Sequence, residues 1–320
     1  MVPIPHRRPT GALLALGRRI LDGVLTSWAA VTITFFALRL AAGDPLAALL
    51  SQGLASREQA EALRHQLGLD LPLHVQYLRF LTALPQGSLG TSLYTGQPVV
   101  RIVAGQLPAT AELATFGAGL AIAMGLFLGV SAAWWPRTAI GRAARGLAGL
   151  STALPVALTG TLVVLTASQI LRAAPGNPAL IEAKRLALPG IVLGYALAGP
   201  IGRVVHTGLG QSLRAPYFLA ARARGIRQAP RLLWHALRPV LAPAVSLSAL
   251  EGAYLFAGTV VTETIFSRPG LGRLLVGAIL QGDYPVAQGV IVLAALFYTA
   301  SQVMADGLAI LIDPRIKGDG

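Results

Sequence analysis

Acidic side chains inside apolar segments are the residues of this sequence best placed to do chemistry. Glu251 lies near the middle of an apolar stretch that runs from about Val240 to Thr262. A charge at the centre of a membrane helix costs roughly 2.5 to 3.5 kcal/mol, so its retention indicates a function. Residues at helical spacing share its face and could line a cavity with it: Tyr254, Leu255, Gly258 and Thr262. Two interpretations stay open, in which Glu251 attracts a cationic part of a substrate or pairs with an arginine.

Nucleotide and metal chemistry are not expected in this chain. A P-loop places a lysine on phosphates within GxxxxGK[ST], and neither Lys184 nor Lys317 lies in such a pattern. The histidines form no HExxH or other close ligand pair: His6, His65, His74, His206 and His235. There is no cysteine, so disulfides and thiolate metal sites are excluded. We therefore predict that the chain is not an enzyme and holds no metal or cofactor of its own.

One basic stretch, residues 214–243, stands between two apolar segments. It contains no acidic residue and carries arginine at six positions: Arg214, Arg222, Arg224, Arg227, Arg231 and Arg238. Tyr217 to Arg224 is helix-forming and is stopped by Gly225. A second run from Leu232 to Leu237 is bounded by Pro230 and Pro239. The pattern predicts a helix, a glycine turn and a second helix inside one basic loop.

Charge is distributed as in a membrane protein. The 320 residues are 54% hydrophobic and 12% charged, with a formal net charge of +13. Basic residues cluster in the N-terminal tail, at 137–145, in the 214–243 stretch and at the C-terminus. In the long polar segment 43–108, basic and acidic residues are balanced. A basic side and a neutral side predict cytoplasmic termini and argue against nucleic-acid binding.

The apolar segments predict an all-α integral membrane protein with six transmembrane helices, residues 1–320 forming a single transmembrane domain. The spans are Ile20 to about Leu40, Leu113 to Trp135, Gly146 to Leu171, Leu186 to Gly202, Val240 to Thr262 and Val286 to about Ile312. Pro155 is expected to kink the third span, and the fourth continues as a helix past His206. Gly125 and Gly129 suit close helix packing. A cleaved signal peptide is the alternative for the first span, which is long for an h-region.

Residues 43–108 are predicted to be a helical extracytoplasmic insertion. Ser56 as N-cap and Gln59 at the capping-box position predict a helix from Arg57 to about Leu67, which Gly68 ends. A second amphipathic helix is expected from Leu73 to Leu84. A role as a cap on the outer bundle and a role with the substrate both stay open.

Ala220 and Ala221 followed by Gly225, then HALR at 235–238 and Pro243, resemble the EAA loop of ABC-importer permeases. The form with ARARG and HALR is similar to the B-type permease of the oligopeptide, dipeptide and nickel importers. In that family the first short helix is the coupling helix that docks in a cleft of the ATPase subunit. The resemblance implies ATPase coupling by Ala220, Ala221, Arg222, Arg224, Gly225, His235, Leu237, Arg238 and Pro243. A basic loop with no docking role is the alternative.

Further strings match this family in the right order, from GDP at 43–45 to DPR at 313–315. One of them, VVTETIFSRPGLG, resembles the family's outer-gate segment, which faces the binding protein. It assigns that role to Glu263, Phe266, Pro269, Gly270 and Gly272, the last three in a tight turn. The sequence departs from part of the family at Leu219, where members outside this branch carry glutamate. The ion pair that this glutamate could form is therefore absent from this chain.

The resemblance implies a type I ABC importer permease of the bacterial inner membrane. Its partners would be a second permease subunit, two ABC ATPase subunits that hold ATP and Mg, and an extracytoplasmic substrate-binding protein. Peptides are the preferred cargo, with nickel or metallophore complexes and glutathione-type molecules as alternatives. The alternative of another class is a stand-alone secondary transporter, which would use intramembrane carboxylates such as Glu251 for ion coupling.

Overall fold

The computed structural model describes residues 10–41, 46, 50, 56–173 and 183–312. Within these ranges the regular structure is helical, apart from an isolated antiparallel bridge between Thr91 and Pro98. The strings at 43–45 and 313–315, together with His6, Lys317 and most of the predicted outer loop between Arg172 and Arg185, lie outside the described residues. The helices are α1 (Thr10–Ala41), α2 (Arg57–Leu67), α3 (Leu73–Ala83), α4 (Val99–Trp134), α5 (Ala139–Ala153), α6 (Val156–Ala173), α7 (Leu188–Ser212), α8 (Pro216–Ala223), α9 (Arg238–Ile265), α10 (Leu271–Gln281) and α11 (Tyr284–Ile312).

Four described helices are long and apolar enough to cross a membrane: Ile20–Leu40, Val99–Trp134, Arg185–Ser212 and Tyr284–Ala305. Two further helix pairs reach that length only together, Ala139–Ala153 with Val156–Gln169 and Gln228–Gly252 with Tyr254–Ile265. Their bends are 109° and 53°. The predicted all-α membrane fold is confirmed, and the number of spans is six if each bent pair counts as one.

The kink predicted at Pro155 is instead a break between two helices. Leu154 is extended, with φ −91° and ψ 126°, and it ends α5 before α6 begins at Val156. Proline disfavours helical backbone at the residue before it and has no N–H to continue the ladder, so Pro155 separates two helices rather than kinking one.

Two predicted helix boundaries are also corrected. The second span begins as part of α4 at Val99 rather than at Leu113, so Pro108 lies inside a helix and the end of the 43–108 insertion is helical. Residues Arg231–Leu237 form a π-helical turn that runs into α9, and Pro239 does not stop it.

The local signals in the insertion are confirmed. The Ser56 hydroxyl accepts from the Gln59 amide at 3.2 Å, and the Gln59 side chain accepts from the Ser56 amide at 2.9 Å. Gly68 ends α2 with φ +66°, in the left-handed region that glycine adopts without strain. The second helix, α3, is found at Leu73–Ala83.

The chain divides into two units. The first unit contains Met1–Val24, Leu113–Gly258 and Tyr298–Gly320, and the second unit contains Leu25–Glu112 and Thr259–Phe297. The boundary between them falls within α1, α4, α9 and α11. The predicted 43–108 insertion lies in the sequence of the second unit, and the 214–243 loop lies in that of the first.

In the first unit, α4 packs closely on α7 through glycine. A Cβ atom on Gly129 would lie 2.6 Å from the Gly202 carbonyl oxygen and 2.6 Å from Val205 Cβ. One on Gly125 would lie 2.7 Å from Ile201 Cβ. Such distances allow no side chain, which confirms the predicted packing role of this glycine pair.

Gly129→Val is expected to destabilise the protein by about 1–3 kcal/mol, because an overpacked contact must displace backbone. Gly119→Val is the matched control, since it lies on the same helix and a Cβ there meets nothing within 4 Å. Thermal unfolding in detergent checks this prediction. Equal unfolding temperatures for the two variants would contradict the described α4–α7 contact.

Candidate functional site

The first part of the basic loop is a short helix, α8. Pro216 takes its first position, where the missing N–H is not needed. The helix ends as predicted at Gly225, which has φ +71°, and the Arg224 amide donates to the Ala220 carbonyl at 3.0 Å. The predicted helix followed by a glycine turn is therefore confirmed, with bounds shifted by one residue.

One face of α8 is packed against its own unit. Phe218 is 7% exposed and belongs to a core cluster with Ala236 and Val240, and the Arg231 guanidinium lies over its ring at 5.4 Å. Ala221 is 4% exposed. Tyr217 and Leu219 lie on either side of this packed face and are exposed, so their apolar surface is open to a partner.

This burial limits which residues of α8 can contact a second chain. Ala220 and Gly225 are exposed, so they remain available for such a contact. Ala221 is covered by its own chain, and its small size serves the packing of α8 within the first unit. The exposed face also carries Arg222 and Arg224.

The second part of the loop combines buried and exposed residues. His235 is half-buried in the π-helical turn, and its Nδ1 is buried with no hydrogen-bond partner in the described part of the chain. Leu237 is half-buried, whereas Arg238 and Pro243 are exposed in α9. The position of His235 fits loop packing, and its role in coupling stays a prediction.

The predicted face around Glu251 is only partly open. Gly258 faces Leu193, whose Cδ1 would lie 2.5 Å from a Cβ at that position, and Thr262 is fully buried. Both positions are therefore packed against this chain, which corrects the prediction that all four residues line a cavity. Tyr254 is 56% exposed and Glu251 is half-buried.

Glu251 forms no hydrogen bond or ion pair with the described part of this chain. Of its two predicted roles, pairing with an arginine therefore finds no support within these ranges. The carboxylate remains able to meet a cationic group of a cargo or of a partner subunit.

Glu263 is the centre of a buried cluster in the second unit. Its side chain is fully buried, and its carboxylate accepts from the Thr110 hydroxyl at 2.7 Å and from the Gly272 amide at 2.7 Å. The Arg273 amide adds a third donor at 3.3 Å. Charge-assisted bonds of this kind are roughly twice as strong as neutral ones. The cluster fixes the segment between α9 and α10 onto α4.

The glycines of this segment are required by the carboxylate. A Cβ on Gly270 would collide with the Glu263 carboxylate, and one on Gly272 would collide with the Val260 backbone. Thr110 supports the same arrangement, since its hydroxyl also accepts from the Leu271 amide at 2.8 Å. The predicted turn residues thus serve the seating of one buried side chain.

This burial bears on the predicted contact of Glu263 with a binding protein. Its carboxylate has no exposed surface in this chain, so the side chain does not offer such a contact directly. Phe266 is likewise buried, so Pro269 is the exposed member of the predicted outer-gate set. The set forms a segment that is held by buried contacts and leaves Pro269 exposed.

Sequence reasoning missed two residues of the cluster. Thr110 was unassigned, although a hydroxyl one turn before an apolar span was a usable signal. Arg268 is 3% exposed and donates to Glu112 at 2.5 Å, which ties the same segment to α4 a second time. No sequence pattern links Arg268 to a carboxylate more than 150 positions away.

Two family models match this chain. A family model described as a binding-protein-dependent transport system inner membrane component matches residues 125–318, and the model of its N-terminal part matches residues 13–114. Both models describe the membrane component of a transport system, so the class of protein is a membrane permease. The chain belongs to the family of binding-protein-dependent transport system inner membrane components.

Individual proteins are similar over nearly the whole chain. A probable peptide ABC transporter permease of Sinorhizobium fredii is 30% identical, covering 94% of this chain and 98% of the relative. A glutathione transport system permease of Salmonella paratyphi A is 32% identical, covering 94% and 97%. The crystal structure of an amino acid ABC transporter with histidines superposes with a TM-score of 0.48 at 14% identity, covering 67% of this chain and 94% of that one.

The chain is a permease subunit of an ABC importer and a multi-pass protein of the bacterial inner membrane. Importers of this kind act together with an ATPase and a substrate-binding protein.

Proposed function

We propose that this chain forms half of the translocation path of an ATP-driven importer of peptides. The observation that carries the proposal is the similarity to a probable peptide permease along almost the full length of both chains. The glutathione permease supports the same class of cargo, since glutathione is itself a small peptide. Nickel or metallophore complexes and a stand-alone secondary transporter are the alternatives.

The exposed face of α8 would be the contact to the ATPase. Apolar Tyr217 and Leu219 lie beside exposed Ala220, and the charges on this face are arginines. An acidic or apolar cleft on a partner would complement such a surface. Leu219 supplies apolar area where relatives outside this branch place a glutamate.

The complete transporter would contain this chain, a second permease, two ATPase subunits that bind ATP and Mg, and an extracytoplasmic binding protein. ATP would close the ATPase dimer and draw the two coupling loops together. That movement would convert the permease pair from the inward-facing to the outward-facing state, in which the binding protein releases its cargo. Hydrolysis would reset the cycle.

Purification of this chain from its own membranes tests the composition. We expect a second permease and a P-loop ATPase to co-purify, and mass spectrometry identifies them. The recovered binding protein is then titrated with peptides, glutathione and nickel chelates, which separates the three cargo classes. A chain that purifies without an ATPase contradicts the proposal.

Glu251→Gln is expected to weaken uptake of cationic peptides about tenfold, because a charge attraction at a half-buried site is worth on the order of 1–2 kcal/mol. Peptides with an acetylated amino group are the internal control and should be taken up equally by both proteins. Competition between the two peptide forms during uptake measures the effect. An unchanged ratio would remove Glu251 from the path.

A further inference from the structure

The second unit contains a cavity of about 520 Å³ that the importer function does not use. Its walls come from the end of α1, from α3, from the loop after α3 and from the start of α11. Two guanidinium groups, those of Arg39 and Arg79, line it. Among the described residues, no acidic side chain does. We call this space the arginine cavity.

Arg39 is held in place by neutral acceptors. Its Nε donates to Gln76 Oε1 at 3.1 Å, and its Nη1 donates to Gln288 Oε1 at 3.2 Å. Its Cζ stacks over the Phe35 ring at 3.6 Å, and Nη1 reaches the Phe35 carbonyl oxygen at 3.4 Å. Within the described ranges, its Nη2 carries no hydrogen bond. The guanidinium is thus oriented, yet no carboxylate there neutralises it.

A buried residue, Gln288, helps to fix this orientation. It is 4% exposed, and its Oε1 accepts the hydrogen bond from Arg39. Gln76 is fixed in turn, since its Nε2 donates to the Leu69 and Leu71 carbonyl oxygens at 3.2 and 2.8 Å. Two amide side chains on different helices therefore fix the orientation of the Arg39 guanidinium. Holding a cation in this way without a charged partner costs free energy.

Arg79 supplies the second charge at the same space. It is exposed, and its guanidinium forms no hydrogen bond or ion pair with the described part of the chain. It passes close to Gly68, where a Cβ would lie 3.0 Å from its Nη1. Apolar walls complete the cavity: Leu69, Phe80, Leu89, Leu93 and Pro98.

We propose that the arginine cavity binds a small organic anion, with a carboxylate or phosphate on Arg39 and Arg79 and an apolar body against Phe80. Arginine favours such groups because its planar fork matches two oxygens. The anion has two possible sources. One is the carboxylate end of a peptide. The other is the phosphate of a lipid headgroup, since Arg39 lies next to the end of the apolar Ile20–Leu40 segment. With a lipid as the source the site is independent of the transported cargo, and with a peptide as the source the inference rests on the proposed function.

A purely structural role for Arg39 makes a different prediction. In that case Arg39 only ties α1, α3 and α11 together, no anion binds, and Arg79 contributes nothing. Ligand binding therefore separates the two accounts, whereas stability alone does not.

Native mass spectrometry of the delipidated full-length protein, or of its co-purified complex, provides the test. Phosphatidylglycerol is compared with diacylglycerol, and trialanine with trialanine amide. We expect one anion to bind one-to-one and at least tenfold more tightly than its neutral counterpart. Binding by the phospholipid assigns the lipid source, and binding by the free peptide assigns the peptide source.

The variants assign the binding to the cavity. Arg39→Gln should weaken it at least tenfold and Arg79→Gln about threefold, the latter less because the side chain is exposed. Ala83→Phe should abolish it by filling the cavity without a change of charge. Arg101→Gln is the matched control, an exposed arginine of the same unit outside the cavity, and should bind as the parent does.

Two results would overturn the proposal. One is the absence of saturable binding by either anion. The other is equal binding by the Arg79→Gln, Ala83→Phe and Arg101→Gln variants, which keeps the test decisive even if Arg39→Gln does not fold. Failure here with intact ATP-driven uptake leaves the importer function standing.

Discussion

Ala220→Trp is expected to abolish ATP-driven transport and to reduce co-purification of the ATPase at least tenfold, while the permease still folds. Ala220 is exposed on α8 beside Tyr217 and Leu219. A large ring there would prevent the close approach that the predicted docking needs, and the exposure of Ala220 leaves space for the ring beside the described part of the chain. Quantitative co-purification and the unfolding temperature in detergent are the two measurements.

Two other alanines serve as comparisons. Ala221→Trp should lower the unfolding temperature itself, because Ala221 is buried against its own unit. Ala139→Trp, at an exposed position that begins α5, should leave both measurements unchanged. If Ala220→Trp retains the ATPase at the level of Ala139→Trp, the exposed face of α8 is not the coupling surface.

Glu263→Gln is expected to destabilise the segment between α9 and α10 by about 2–4 kcal/mol. The carboxylate receives three donors, and an amide can satisfy the Gly272 and Arg273 amides only by turning its own N–H groups toward Thr110. Loss of charge-assisted bonds to a buried group has this magnitude. Hydrogen exchange followed by mass spectrometry should show faster exchange at residues 268–274.

The neighbouring Thr264→Ala provides the control for Glu263. Thr264 is exposed, and its hydroxyl bonds only to the Val260 carbonyl of its own helix at 2.7 Å among the described contacts. Its exchange pattern should match that of the parent. Unchanged exchange in Glu263→Gln would mean that the cluster does not hold the segment.

Local signals predicted the short elements of this fold well. The Ser56 capping box and the left-handed Gly68 and Gly225 each act within a few residues, so sequence alone contains their cause. The membrane spans were also predictable, because apolar length decides them. Pro155 was less predictable, since a proline either kinks a helix or separates two, and packing of the flanking helices decides which.

The candidate sites depended on contacts that sequence does not contain. A glutamate in an apolar segment indicates a costly charge, but nothing in the sequence joins Glu263 to Thr110, 153 positions earlier. The same limit applied to α8, where both alanines were suitable for docking and only the packing of Phe218 decided that Ala221 faces inward. The orientation of Arg39 by the amides of Gln76 and Gln288 likewise depends on contacts that the sequence does not contain.

The central claim is that this permease moves cargo only when an ATPase drives it. The most direct measurement is uptake of a labelled peptide by liposomes that contain the co-purified complex and its loaded binding protein. We predict uptake with ATP on the ATPase side, none without ATP, and none for the complex carrying Ala220→Trp. Uptake by this chain alone, in liposomes free of ATP and driven by an ion gradient, would contradict the account.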